Sequence, residues 1–162
     1  MKTLLLIRHA KSSWDDTSLL DKDRPLNTRG ERDAPRIGER LAQRDVKPDL
    51  IVSSPARRAL ATAEIIARKL GYRLKNIVVD DRLYAVAADD LLDVIHKLDD
   101  EKDHVMLFGH NPELTELAHW LSSEITHLPT CAVAEFHFNA KSWSNVGKLT
   151  LETVALDYPK RI

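Results

Sequence analysis

The feature that most constrains the fold is a short apolar run near the start of the chain, residues 3–7, which ends in a charged pair. The run is rich in branched side chains, as is typical of a fully buried strand in a parallel sheet. Arg8 and His9 follow it directly. Because ligands bind at the carboxyl ends of strands in open α/β sheets, this pair would lie where a ligand binds. Arginine binds phosphate oxygens through paired hydrogen bonds, and histidine can attack phosphorus or transfer a proton. For these two residues alone, a chance pair at a strand end is the simpler explanation.

The same layout occurs at two later points in the chain. Residues 50–52 are followed by Ser54 and Pro55, and residues 104–108 lead to Asn111 and Pro112. In both places a good N-cap residue stands before a proline at the first helical position, which predicts a helix start. Helix N-termini attract anions, because their N–H groups are free and carry partial positive charge.

Three strand ends are therefore expected to meet around one oxyanion, and an unrelated scatter of surface cations is the alternative. The residues expected to converge there are Arg8, His9, Arg58 and His110. Any attraction for anions must be local, because the formal net charge of the chain is only −1. That charge favours neither nucleic acid nor a membrane surface as a partner.

The composition is that of a globular protein, with 43% hydrophobic and 30% charged residues among 162. This length fits one domain, residues 1–162. Because Cys131 is the single cysteine, an internal disulfide is excluded. We expect Cys131 to be a small buried apolar residue rather than a nucleophile. The apolar run at residues 4–7 is too short for a signal peptide, and no window approaches a membrane span, so a cytoplasmic protein is expected.

Alternating strand and helix signals predict a three-layer α/β/α sandwich with a mainly parallel sheet. A long polar loop over residues 11–26 is expected to be functional. A capping box at Thr28 predicts a helix to about Arg44, with a kink or a later start at Pro35. Apolar residues at helical spacing continue the two helices that start at the prolines, from Pro55 through residues 59–70 to a stop at Gly71, and from Pro112 through residues 114–121, and they predict another helix over residues 91–98. Strands are predicted over residues 48–53, 76–79 and 104–108, and residues 131–138 and 148–155 are expected to form an antiparallel edge.

Histidines and arginines around one oxyanion suit phosphoryl transfer, in which positioning and charge neutralisation do most of the work. Either His9 or His110 could attack phosphorus and form a phosphohistidine that water then hydrolyses. We expect neither a metal nor a cofactor, because the cations already supply the charge. The remaining histidines lack zinc-ligand spacing, and the aspartates of the long loop lack the EF-hand pattern.

These motifs resemble those of the histidine phosphatase superfamily, the branch that includes the phosphoglycerate mutases. The matching segments are Leu6-Ile7-Arg8-His9-Ala10, Ser53-Ser54-Pro55 with Arg58-Ala59 and Thr62-Ala63, and Gly109-His110-Asn111-Pro112. The finer pattern is similar to that of SixA-type phosphohistidine phosphatases: Arg8 to Trp14, then Asp23-Arg24-Pro25-Leu26-Asn27 and Gly30-Glu31-Arg32. The resemblance covers nearly the whole chain, from Leu4 to about Phe138.

The resemblance implies that His9 is the nucleophile and that Arg8, Arg58 and His110 form the phosphate pocket. It leaves Arg57 at the surface. Arg24, Lys11 and Asn111 are further candidates for substrate binding, although Arg24 equally fits a structural salt bridge and Lys11 a solvated loop. Trp14 is either a loop anchor or part of the pocket rim.

Larger relatives carry a catalytic glutamate where this chain has Ala85. Because a phosphohistidine loses an imidazole that is already protonated, the missing acid favours phosphohistidine over a phosphate ester. Asp15 or Asp81 could replace the acid, which keeps esters possible.

The segment 84–90 is also too short for a lid, so the pocket should be open to a protein partner such as a histidine-containing phosphotransfer domain. The alternatives are a small-molecule phosphomonoesterase and a module that binds phosphorylated ligands without turnover. The sequence leaves the oligomeric state open.

Overall fold

Six strands form one sheet in the computed structural model, which describes residues 1–161. They are β1 (Lys2–Arg8), β2 (Leu50–Ser53), β3 (Val78–Val79), β4 (His104–Gly109), β5 (Val133–Phe138) and β6 (Leu151–Asp157). Their order is β3-β2-β4-β1-β5-β6. The first four strands in that order are parallel, whereas β5 runs antiparallel to both β1 and β6. The predicted parallel sheet with an antiparallel edge is confirmed.

Helices cover both faces of this sheet. They are α1 (Thr28–Gln43), α2 (Arg57–Leu70), α3 (Ala88–His96) and α4 (Glu113–Leu121). Alternate residues of β1 point to opposite faces, so Leu5 and Ile7 pack with α1 and α2 while Leu4 and Leu6 pack with α3 and α4. The three predicted layers follow from this alternation. Among residues 1–161, no helix combines the length and the apolar character that crossing a membrane requires.

The N-terminus of α1 differs slightly from the prediction. Asn27, not Thr28, is the N-cap residue, and its Oδ1 accepts a hydrogen bond from the Gly30 N–H at 2.9 Å. The helix continues through Pro35, so the predicted later start is wrong. Proline removes one N–H donor from the helix, and the sixteen-residue segment forms nonetheless because its apolar face is buried on the sheet.

Helices α2 and α4 begin after Pro55 and Pro112, and therefore later than predicted. The Ser54 Oγ accepts from the Ala56 N–H at 3.2 Å, and α2 begins at Arg57. The Asn111 Oδ1 accepts from the Thr115 N–H at 3.2 Å, and α4 begins at Glu113. The stop at Gly71 is confirmed, since this residue adopts a left-handed conformation with φ of 72°.

Strand register brings the polar motifs to one edge of the sheet. Arg8 at the end of β1 is paired with Gly109 at the end of β4, and the His9 N–H donates to the Gly109 carbonyl at 3.1 Å. On the other side of β4, the Ser54 N–H donates to the Phe108 carbonyl at 3.0 Å. The residues that follow three neighbouring parallel strands therefore meet at the carboxyl edge, as predicted.

Candidate active site at the carboxyl edge of the sheet

His9 and His110 face each other at this edge. Their ring centroids lie 5.2 Å apart, with 50° between the ring planes. Both residues are buried, with 8% and 6% of their surface exposed. The predicted pair of imidazoles is therefore in place.

The hydrogen bond of His9 determines its tautomer. Nδ1 lies 2.7 Å from the Ala10 carbonyl oxygen, which can only accept, so Nδ1 carries the proton and Nε2 carries a lone pair. Burial lowers the pKa of His9 to about 3, and the nearby positive groups of Arg58 and Arg8 act in the same direction. His9 is therefore neutral at physiological pH and can act as a nucleophile through Nε2.

His110 is held by the turn before α2. Its Nε2 lies 2.7 Å from the Ser54 Oγ, which also accepts the Ala56 N–H. When the Ser54 hydroxyl donates to Nε2, the proton of the neutral ring lies on Nδ1. Burial, followed by the charge of Arg58, lowers the pKa of His110 to about 4. In that tautomer the neutral imidazole presents Nδ1–H as a donor.

Arg8 lies beside the imidazoles and is anchored by a distant loop. Its Nη1 donates to the Leu128 carbonyl at 3.0 Å. Burial and the like charge of Arg58 lower its pKa, although guanidinium stays protonated throughout the physiological range.

Arg58 is bound at two points by one residue of the long loop. Its Nη1 donates to the Asp21 carbonyl at 2.7 Å, and its Nη2 donates to the Asp21 Oδ2 at 2.9 Å. The same carboxylate accepts from the Tyr84 hydroxyl at 2.7 Å and from Arg24 Nη1 at 2.9 Å. The Tyr84 hydrogen bond contributes most to lowering the pKa of Asp21, and the two arginines contribute further.

Arg24 forms the salt bridge expected as one of its two roles, and its contact with substrate stays a prediction. It forms an ion pair with Asp21, and its Nε donates to the Ser13 carbonyl at 3.0 Å. It also lines the cavity beside His9, under the Trp14 ring, whose centroid lies 3.3 Å from the guanidinium carbon. Trp14 is 68% exposed and lines the same cavity, which makes it part of the rim.

A cavity of about 160 Å³ lies between these side chains. Its lining residues are Arg8, His9, Lys11, Ser12, Trp14, Arg24, Arg58 and Thr130. Lys11 is exposed at the rim, and Arg57 points to the surface as predicted.

Asn111 is held in the turn before α4, and its expected role in substrate binding stays a prediction. Its Nδ2 donates to the Leu128 carbonyl at 2.9 Å, and its Oδ1 accepts from Thr115. These bonds use both lone pairs of the amide oxygen and one of the two N–H donors of Nδ2. Since Arg8 binds the same Leu128 carbonyl, Asn111 also supports the wall of the site.

Two buried nitrogens at the site, Arg8 Nε and His110 Nδ1, have no hydrogen-bond partner within residues 1–161. Buried donors are ordinarily paired, so these two indicate a ligand with acceptor oxygens. A tetrahedral oxyanion would accept from both nitrogens and from the guanidinium groups. The His9 Nε2 lone pair would then be available to its central atom.

Sequence reasoning missed Asp21, Ser54 as the partner of His110, and Tyr84, whose ring lies edge-on to His110 at 5.5 Å. Asp21 was considered only as one aspartate among several. The one signal in the sequence was its place three residues before Arg24, at a spacing that allows a local ion pair.

In the part of the chain that the structure describes, no three His, Cys, Asp or Glu side chains are grouped to hold a metal ion.

Comparison with known proteins assigns the family. The model of the histidine phosphatase superfamily (branch 1) matches residues 4–91, more than half of the chain. An uncharacterized chloroplastic protein of Arabidopsis thaliana is 34% identical over 157 residues, which cover 92% of this chain and 72% of that protein. The chain belongs to the histidine phosphatase superfamily and is a phosphatase of that group.

Solved structures of SixA proteins share its fold. A protein of Agrobacterium tumefaciens assigned as the phosphohistidine phosphatase SixA is 31% identical, with a TM-score of 0.76 over 83% of this chain and 90% of that one. The protein histidine phosphatase SixA in complex with tungstate has a TM-score of 0.80 at 20% identity, covering 97% of each chain. The second likeness shows the fold alone.

Proposed function

We propose that the protein hydrolyses phosphohistidine on another protein, through a phosphohistidine intermediate at His9. The observation that carries the proposal is the buried, neutral His9 with its lone pair on Nε2, next to two unpaired donors in a pocket lined by arginines.

The reaction would proceed in two steps. The His9 Nε2 attacks phosphorus, an N–P bond forms, and the bond to the leaving group breaks with its electron pair. Arg8, Arg58, Arg24 and the His110 Nδ1–H hold the phosphoryl oxygens and stabilise their charge. Water then attacks phosphorus, the N–P bond to His9 breaks, and inorganic phosphate leaves.

The electrostatics of the site favour a leaving group that needs no proton. The pKa of Asp21 is lowered by Tyr84 and the arginines, so its carboxylate stays ionised and cannot act as an acid. The Tyr84 hydroxyl donates to that carboxylate, and this bond raises the pKa of Tyr84. Ala85, where larger relatives carry a glutamate, has no ionisable group. A protonated phosphohistidine releases a neutral imidazole without an acid, whereas an alkoxide requires one.

The shape of the site favours a phosphorylated side chain on a macromolecule. Only residues 84–87 separate the 3₁₀ turn Asp81–Leu83 from α3, and Trp14 at the rim is largely exposed. A protein such as a histidine-containing phosphotransfer domain could therefore bring its phosphoryl group to the cavity.

The test is a comparison of phosphate release from three kinds of substrate: a phosphorylated phosphotransfer domain, sugar phosphates, and p-nitrophenyl phosphate. We expect the phosphoprotein to have the highest kcat/KM. A marked preference for sugar phosphates would overturn the substrate and support a small-molecule phosphomonoesterase with the same mechanism.

Labelling with an alkaline quench tests the intermediate, because the P–N bond of phosphohistidine is stable in base and hydrolyses in acid. We expect labelled phosphate on wild-type protein, none on His9→Ala, and a rate at least about a thousandfold lower in that variant. His96→Ala, at the far end of α3, is the control and should keep both label and rate. A protein that binds phosphorylated ligands without labelling, and equally well as His9→Ala, would be a binding module.

A further inference from the structure

The carboxylate of Asp21 connects three segments of the chain around the cavity. Asp21 begins the 3₁₀ turn Asp21–Asp23 in the long loop, Arg58 lies in the first turn of α2, and Tyr84 follows the turn Asp81–Leu83. Oδ1 accepts from Arg24, and Oδ2 accepts from both Arg58 and Tyr84. All three side chains that bind the carboxylate are hydrogen-bond donors, so the carboxylate acts only as an acceptor here.

The two bonds to Arg58 define the orientation of its guanidinium group. One goes to the backbone carbonyl of Asp21 and one to its side chain, from two different nitrogens, at 2.7 and 2.9 Å. Together with the covalent attachment to Cδ, these two bonds fix both the plane and the rotation of the guanidinium group. Guanidinium has five N–H donors, so three remain for a ligand in the cavity that Arg58 lines.

A negative charge is needed at this point because the pocket concentrates cations. Arg58 lowers the pKa of Arg8, His9 and His110, which shows that its positive charge acts on all three. Its own side chain is only 8% exposed, so water compensates little of that charge. Without an anion beside it, Arg58 would be driven toward solvent by repulsion and desolvation.

We propose that Asp21 is a positioning residue that orients the Arg58 guanidinium, and with it Arg24, for the phosphoryl group. It does not transfer a proton. The role rests on the proposed function of the pocket as a phosphoryl site, and it acts through Arg58 rather than on the substrate.

The test measures tungstate affinity by isothermal titration calorimetry at pH 7, because this anion needs no turnover. We expect Asp21→Ala to weaken tungstate binding about tenfold, since the oriented hydrogen bonds of Arg58 are lost. Asp21→Asn should also weaken it, because its amide NH₂ group would face the N–H and O–H donors that now bind the carboxylate. This variant has nearly the same shape as Asp21 and replaces Asp21→Ala if that variant unfolds. Asp23→Ala, an exposed carboxylate of the same turn, is the matched control and should stay within about twofold of wild type.

A double-mutant cycle separates positioning from general damage. In an Arg58→Ala background, the loss caused by Asp21→Ala should shrink to about threefold or less, because the group that Asp21 orients is gone. An equal loss in both backgrounds would overturn the proposal. So would tighter tungstate binding by Asp21→Ala, the result expected if Asp21 only repelled anions. Failure of the wild-type protein to bind tungstate would instead overturn the oxyanion pocket and the proposed function.

Discussion

The environment of the two imidazoles determines their protonation. His9 and His110 are buried next to guanidinium groups, and both effects disfavour the charged ring. The Ala10 carbonyl, which can only accept, places the proton of His9 on Nδ1, and a hydrogen bond donated by the Ser54 hydroxyl to Nε2 of His110 places the proton of that ring on Nδ1. The same kind of side chain thus presents a lone pair at His9 and, when Ser54 donates, an N–H donor at His110.

Both rings should therefore stay neutral well below the usual pKa of histidine. In a ¹H–¹³C NMR titration, the ring signals of His9 and His110 should not shift between pH 8 and about pH 5, where an ordinary histidine becomes charged. Arg58→Ala should raise the pKa of both rings, because a repelling charge is removed. A midpoint near 6.5 for His9 in the wild-type protein would contradict this environment.

Ser54→Ala tests the partner of His110. Without the hydroxyl, His110 Nε2 loses its bond at 2.7 Å, and the ring no longer has a preferred tautomer. We expect kcat/KM for p-nitrophenyl phosphate to fall about tenfold, and long-range ¹H–¹⁵N NMR spectra to lose the Nδ1–H form. Ser53→Ala is the control, because this buried hydroxyl donates to a backbone carbonyl. Equal losses in both variants would point to damage to the turn.

At the residue scale, what the sequence could predict was local. Arg8, His9, Arg58 and His110 each belong to a motif at a strand end, and strand ends of a parallel sheet meet at one edge. Asp21 lies 37 positions from Arg58, and no local pattern links the two. The amide of Asn111 supports a turn through bonds to Leu128 and Thr115, and the local sequence does not reveal those partners.

At the scale of elements, types were predicted better than boundaries. Apolar periodicity and Gly71 identified α2, because a buried helix face requires apolar residues at helical spacing and a left-handed C-terminal residue favours glycine. The starts of α2 and α4 were wrong by one or two residues, since Ser54 and Asn111 can bond to N–H groups either in a helix or in a preceding turn. The loop over residues 11–26 carries a 3₁₀ turn, Asp21–Asp23, that hydrophobic pattern does not encode.

Gly30→Ala should disturb the contact between α1 and this loop. A Cβ atom at Gly30 would overlap the Lys11 carbonyl oxygen, which also accepts from the Asn27 N–H at 3.0 Å. We expect a loss of about 2 kcal/mol in the free energy of unfolding, measured with urea, and a lower kcat/KM because Lys11 lines the cavity. Gly147→Ala, whose nearest contact would lie at 3.8 Å, should change neither.

At the scale of the whole molecule, the sheet and its two helical layers place the site at one end. The order β3-β2-β4-β1-β5-β6 puts β1 and β4 side by side in the middle, where both faces are covered. The predicted layers and the mixed sheet are confirmed, because buried parallel strands and half-exposed antiparallel strands differ in pattern. The single domain over residues 1–162 and the cytoplasmic location stay predictions.

Folding should become less favourable in mild acid. The pKa of each site imidazole is lowered on folding, to about 3 for His9 and about 4 for His110. The unfolded chain therefore takes up protons first, and the stability present above about pH 6.5 is lost as the pH falls toward the folded values. Between pH 7 and about pH 5 we expect a loss of about 1–2 kcal/mol per imidazole in urea unfolding experiments. The double variant His9→Asn/His110→Asn should lose less over the same interval, and an identical loss would count against the lowered values.

The pairing of Arg8 with Gly109 has a consequence for how such a site can diverge. A histidine directly follows each strand, His9 after β1 and His110 after β4. The distance between the two rings is therefore set by the spacing of adjacent strands, about 4.8 Å. Loops and helices around the sheet can therefore drift far in length and composition without moving these rings apart. An insertion of one residue within β1 or β4 would turn one ring toward the opposite layer. We therefore expect proteins that keep this site to keep the lengths of these two strands.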